Sequence, residues 1–95
     1  MDSVSVLIPT LLRPLVEGRS EVVLPADAPM TVGGLLDRLS EGRPLLERRI
    51  RDETGALRRY VNIYVGGEDV RRLELLDTPV EPGDTVMVIQ SVAGG

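Results

Sequence analysis

The side chains that most often carry out covalent chemistry are missing from this sequence. It has no Cys and no His, and all 11 of its basic residues are Arg. Thiol nucleophiles, thiolate metal sites, imidazole bases and Schiff-base amines are therefore excluded. What remains is 15 side-chain carboxylates, a few hydroxyls and the phenols of Tyr60 and Tyr64. The pairs Asp52-Glu53 and Glu68-Asp69 make a poor metal site, because adjacent residues on a strand or turn point apart and no further ligand cluster joins them. Gly66-Gly67 reads as a turn and not a phosphate loop, since no Lys follows and no helix starts there. One reactive group lies outside the side chains: the α-carboxylate of Gly95. Fraying accounts for many chain ends. The run Ser91-Val92-Ala93-Gly94-Gly95 that ends in this group calls for a sharper account than fraying.

Composition narrows the classes further. Ninety-five residues, 42% hydrophobic and 27% charged, suit one folded domain with an aliphatic core, for there is no Phe and no Trp. No apolar run approaches the roughly 20 residues of a membrane span. MDSVSVLIPT has an acid where a signal peptide would be basic, so a cytoplasmic protein with no membrane partner is expected. A net charge of −4 argues against nucleic acid as a partner. Seven arginines fall between Arg48 and Arg72 (Arg48, Arg49, Arg51, Arg58, Arg59, Arg71 and Arg72), interspersed with acids. They read as a solvated mixed-charge face, with partner docking as the minority reading.

The elements that must position the chain end follow from periodicity. Val4, Val6 and Ile8 alternate with polar or outward residues, the period of a half-buried strand. Arg19 to Leu24 is a second strand. Thr31 caps a helix whose Val32, Leu35, Leu36 and Leu39 make one apolar stripe, with Asp37 and Arg38 facing water. Gly33 and Gly34 in its first turn fit close packing against a strand or plain sequence drift. Pro44 to Ile50 adds a short helical segment. Tyr60 to Val65 turns at Gly66-Gly67 into Glu68 to Arg71, a hairpin. Leu73 to Val80 is irregular, and Pro82-Gly83-Asp84 turns into the last strand, Thr85 to Gln90. That strand is apolar on both faces, which suits the middle of a sheet. The order predicts an α+β two-layer domain with first and last strands parallel at its centre. Val86 and Val88 then face the helix. Met87 and Ile89 point outward beside Leu7, as a partner-docking face or as side chains covered by the Leu73–Val80 loop.

The stretches IPTLLRP (Ile8 to Pro14), YVNIYVGGEDVR (Tyr60 to Arg71), PGDTV (Pro82 to Val86) and SVAGG resemble the ubiquitin-like β-grasp sulfur carriers, the family of ThiS and MoaD. Within it they resemble the CysO-type carriers. The resemblance implies a mixed sheet of four to five strands with one main helix packed on one face. It implies a body over residues 1–90 and a flexible tail over 91–95. It further implies that an E1-like enzyme uses ATP to adenylate the Gly95 carboxylate, which a sulfur source converts to a thiocarboxylate. Ser91, Val92, Ala93 and Gly94 would be the residues recognised in the tail. The chain would be a protein co-substrate, not an enzyme, and would bind no cofactor itself. Its second partner would be a sulfur-accepting enzyme, of cysteine synthase type or a thiosugar or secondary-metabolite synthase.

Physical chemistry supports glycine at such an end. Without a Cβ it passes through a narrow channel and takes backbone geometries closed to other residues. Ordering a flexible tail costs roughly 1–2 kcal/mol of backbone entropy per residue, which favours release between partners. A chain without Lys or Cys offers no amine or thiol side chain to attack its own activated carboxyl, although GC-rich coding produces the same composition. Gln90 stands where many sulfur carriers have Pro. Ala93 stands where ubiquitin-type modifiers commonly have Arg, which counts against ubiquitin-type conjugation. A protein modifier, the small subunit of molybdopterin synthase and a β-grasp interaction module with an incidental diglycine are the alternatives.

Overall fold

A computed structural model describes residues 2–91. Alternation sets the first strand, β1 (Ser3–Leu7), which buries Val4 and Val6 and turns Ser3, Ser5 and Leu7 to the other face. A 3-10 helix over Thr10–Val16 follows, burying Leu12 and Val16. It leads into β2 (Glu21–Pro25), antiparallel to β1 with Val6 opposite Val22. β3 (Met30–Thr31) runs directly into α1 (Val32–Leu39), and α2 (Pro44–Ile50) starts with Pro44 in its first turn. β4 (Val61–Val65) and β5 (Glu68–Asp69) form a hairpin. Gly66 and Gly67 both have positive φ, 57° and 87°, as a tight two-residue turn requires. β6 (Pro79–Val80) and β7 (Thr85–Gln90) complete the chain's described elements.

The five-stranded sheet has the order β2-β1-β7-β4-β5, and β3 pairs with β6 in a separate two-stranded ribbon. β7 is central as expected, parallel to β1 from Ser5↔Thr85 to Leu7↔Met87 and antiparallel to β4 from Val65↔Val86 to Val61↔Gln90. Val4, Val6, Val86, Val88, Val61 and Ile63 on one face join Val32, Leu35, Leu36 and Leu39 of α1 in one continuous core. Thr31 is the helix cap: its Oγ1 accepts from the Gly34 N–H at 3.0 Å.

The structure moves several boundaries. β1 ends at Leu7; Ile8 is still buried, but its N–H donates to the Ser20 carbonyl at 2.9 Å as the chain turns away. β2 begins at Glu21, not Arg19, and β4 at Val61, not Tyr60. β5 is two residues long because Asp69 accepts from the Arg71 N–H and caps a 3-10 turn over Val70–Arg72. The Leu73–Val80 stretch supplies a 3-10 turn, Leu75–Asp77, and then β6. Gly33 does pack closely, but against this turn and not a strand: a Cβ there would lie 3.3 Å from the Leu76 carbonyl oxygen. Gly34 has no such constraint, its nearest neighbour being Thr31 Oγ1 at 3.4 Å.

The arginine run is not uniformly solvated. Arg51 is buried at 9% exposure and ties the two helices together. It donates to both Glu47 oxygens (2.9 and 2.7 Å), to Asp37 Oδ1 (2.8 Å) and to the Gly33 carbonyl (3.4 Å). Burial opposes its charge, but the bonds to Glu47 and Asp37 outweigh that and hold its pKa above the ordinary arginine value. Arg38 is also tethered, to the Pro25 carbonyl at 2.6 Å, and does not simply face water.

Two outcomes in denaturant unfolding follow. Replacement of Gly34 by Ala stabilises by about 0.5–1 kcal/mol through helix propensity, whereas Gly33→Ala gives none of that gain, because its Cβ presses on a backbone oxygen. Arg51→Met costs about 1–3 kcal/mol. That is less than the roughly 3–5 of a fully buried pair, since the Asp37 and Glu47 side chains keep 71% and 35% exposure.

Candidate functional site

β7 carries the chain out of the core, and its two neighbours leave it at different points. Pairing with β1 stops at Leu7↔Met87, where Ile8 turns away and Pro9 has no N–H to offer. Pairing with β4 continues to Gln90 opposite Val61, and the Ser91 N–H donates to the Tyr60 carbonyl at 2.9 Å. The root of the tail is thus held from the β4 side, and Ser91 itself is exposed. Val92, Ala93, Gly94 and Gly95 lie outside the described residues. Gln90 sits on the covered face in register with Val61, and its Oε1 is buried with no hydrogen-bond partner among the described residues.

The three residues expected on the uncovered face are brought together there. Met87 lies opposite Leu7 on one side and Tyr64 on the other, and Ile89 lies opposite Asn62. Met87 is 39% and Ile89 37% exposed, while Leu7 is half-buried. The Leu73–Val80 segment does not cover them. It packs on the other side of the molecule, its 3-10 turn against α1 and β6 against β3. A shallow hollow of about 230 Å³ opens between these residues, Pro9 and Arg13.

The sequence reading counted Arg58, Arg59 and Arg71 in a solvated mixed-charge face, with docking as the minority reading, and did not place them at the root. Arg58 directs its carbonyl to the Val61 N–H (3.0 Å) and its Nε to the Arg48 carbonyl (2.6 Å). Arg71 reaches back from its 3-10 turn to Asn62 Oδ1 (2.8 Å) and to the carbonyls of Arg58 and Val61 (3.0 and 2.7 Å). These positions become neighbours of the chain end only through the β4–β7 register, which composition does not reveal.

The other groups offer no competing centre. Hydrogen bonds from the Thr54 hydroxyl and N–H hold the Asp52 carboxyl below the usual aspartate range, and Arg43 does the same for Glu17. Both carboxylates shape loops. Among the described residues no three acidic side chains gather to hold a metal ion. A wider hollow, about 770 Å³ beside Val23, Pro25 and Arg38, lies at the opposite end of the sheet from Ser91. No helix among the described residues is long and apolar enough to cross a membrane.

Comparison with known proteins bears on this arrangement. The sulfur carrier protein CysO of Mycobacterium tuberculosis is 39% identical over 95 residues, spanning 98% of this chain and 99% of the relative. A chain of the crystal structure of the Amycolatopsis orientalis BexX/CysO complex superposes with a TM-score of 0.83 at 36% identity, covering 97% of this chain and 99% of that one. The small archaeal modifier protein 1 of Methanosarcina acetivorans superposes with a TM-score of 0.79 at 29% identity, covering 100% and 98%. The fold is therefore the ubiquitin-like β-grasp that the sequence resemblance implied. The model of the ThiS family matches residues 6–95, from within β1 through the diglycine, and the chain belongs to that family.

Proposed function

We propose that this chain is a sulfur carrier whose working group is the Gly95 carboxylate. The observation that carries the reading is the family match running through the terminal diglycine of a chain whose last strand leads to an exposed root at Ser91. An E1-like enzyme would bring the carboxylate onto the α-phosphorus of ATP, releasing pyrophosphate and leaving an acyl-adenylate. Sulfide then attacks the acyl carbon and expels AMP, so the carboxylate becomes a thiocarboxylate. The carrier is a co-substrate in this sequence: its body docks, its end reacts, and ATP belongs to the partner. Likeness to CysO favours sulfur donation toward cysteine, with a thiosugar or other thiolated metabolite as the alternative acceptor product. A cytoplasmic site fits chemistry that needs reduced sulfur.

A protein-modifier role has one observation in its favour, the likeness to small archaeal modifier protein 1. It shares the adenylation step and differs in the nucleophile, a lysine amine in place of sulfide. Ala93 before the diglycine does not provide the Arg common in ubiquitin-type modifiers. Conjugates of higher mass in cells, lost on deletion of Gly94-Gly95, would favour that role.

The purified protein, incubated with the E1-like enzyme of its own organism, ATP and sulfide, is expected to exchange one oxygen for sulfur by intact mass. A variant ending at Ala93 should stay unchanged. An unchanged wild-type mass, with the same enzyme shown to charge another carrier, would contradict the proposal. The uncovered face supplies a second outcome. Met87→Asp and Ile89→Asp should raise the KM for the activating enzyme by about tenfold or more, as loss of a central apolar contact does. Their unfolding free energies should move by less than about 1 kcal/mol, in contrast to the about 2–5 lost on Ile63→Ala in the core.

A further inference from the structure

The fold gathers arginines around the root of the tail. β7 runs from Thr85 to Gln90, so the sheet has a starting end and a leaving end. Asp2, Asp27, Glu68, Glu81 and Asp84 lie at the starting end, together with Arg38 and Arg72. There the Ala26 N–H meets the Asp2 carbonyl, the Gly83 N–H meets Ser3, and the Gly66 N–H meets Thr85. At the leaving end the chain emerges among Arg13, Arg58, Arg59 and Arg71. Tyr60, which accepts from Ser91, follows Arg59 directly, and Arg71 Nη2 bridges the carbonyls of Arg58 and Val61 on either side of it. On the opposite flank, Arg13 Nε donates to the Ile8 carbonyl at 3.0 Å, where β1 parts from β7.

What holds these guanidinium groups matters for their charge. Arg13, Arg58 and Arg71 are fixed by carbonyl or amide oxygens, which orient a cation without neutralising it. Arg59 is exposed and bonds nothing among the described residues. The ion pairs there are made by Arg43 and Arg51 alone. Acids stand nearby as well: Glu21 opposite Leu7, Asp52 within the influence of Arg58, Asp69 capping the turn that carries Arg71, and Glu74 and Asp77 lining a hollow with Arg71. None forms an ion pair with a collar arginine among the described residues. A chain of net charge −4 thus presents a positive collar at the point where its reactive end departs. Solvation alone would accept any distribution of exposed arginines, so four around one exit, none in an ion pair among the described residues, call for an account.

We propose that this collar docks on an acidic rim around the channel of the enzyme that activates Gly95. The inference rests on the carrier reading above. Leu7, Met87 and Ile89 lie between the two arginine flanks, so the complementary surface has an apolar centre with Asp and Glu at its border, the usual layout of an interface. Opposite charges at such a border steer encounter and set orientation, directing the tail at the channel before contact is made.

The test compares wild type, Arg59→Glu, Arg59→Gln and Arg72→Glu in binding to the E1-like enzyme without ATP, with charging read in parallel by intact mass. Arg72 lines the hollow beside Gly67 near the starting end, so its reversal matches the charge change at the wrong place. At about 0.05 M salt, Arg59→Glu should weaken Kd about tenfold or more, Arg59→Gln by less, and Arg72→Glu by at most about twofold. At about 0.5 M salt, where the Debye length shrinks below the reach of such contacts, all should converge within about twofold. Unaltered binding by Arg59→Glu, an equal loss in Arg72→Glu, a deficit that persists at high salt, or no binding by wild type would each overturn the collar. A wild type that binds with this salt dependence but gains no sulfur would contradict the carrier reading and leave the collar standing.

Discussion

The parallel pairing of β1 with β7 is the constraint on which the rest of the structure depends. Parallel neighbours cannot be joined by a tight turn, so the chain between them must cross over before the centre of the sheet can close. That crossover carries both α-helices and the β4–β5 hairpin. The last strand is consequently the middle one, and its Val86 and Val88 are as buried as anything in the protein. A protein that needs a reactive chain end gains from this wiring. The root of its tail, Ser91, leaves from the middle of the sheet rather than from an edge.

From this follows a division of labour between the two faces of β7. The even positions, Val86 and Val88, belong to the core under α1; the odd ones, Met87 and Ile89, stay on the open side next to Leu7. One six-residue strand therefore holds the fold, offers an apolar surface and delivers Ser91. The β4 side adds its own contribution, since Arg58, Arg59 and Tyr60 end the loop whose register fixes that exit. Stability, the open apolar surface and the position of Ser91 are thus coupled through backbone pairing.

Much of this was legible in the sequence. Period-two alternation in Ser3–Leu7 and Val61–Val65, the stripe of α1 with its Thr31 cap, the Gly66-Gly67 turn and the two-sided apolarity of β7 all reflect local rules that survive into the fold. That Met87 and Ile89 lie opposite the core face was legible too, from the two-sided apolarity of β7; whether the Leu73–Val80 segment covers them was not. The rest depended on contacts that no window contains. The Thr10–Val16 helix holds Pro14 and is too short to show a period, and β3 and β6 have two residues each. Arg51 sat within a charge run that reads as solvated, until Asp37 and Gly33 of α1 meet it across the fold. Gly33 read as close packing against a strand or as drift, and the partner that approaches it is the Leu76 backbone of a 3-10 turn.

If the body recognises the partner and the chain end reacts, a body without its diglycine must still compete. A variant ending at Ala93 would be titrated against full-length protein during ATP-dependent charging by the E1-like enzyme. Competitive inhibition is expected, with a Ki of the same order as the KM of the full-length chain and no sulfur on the truncated one. Absence of inhibition by a folded truncated body would place recognition in the last two residues and refute this division between body and chain end.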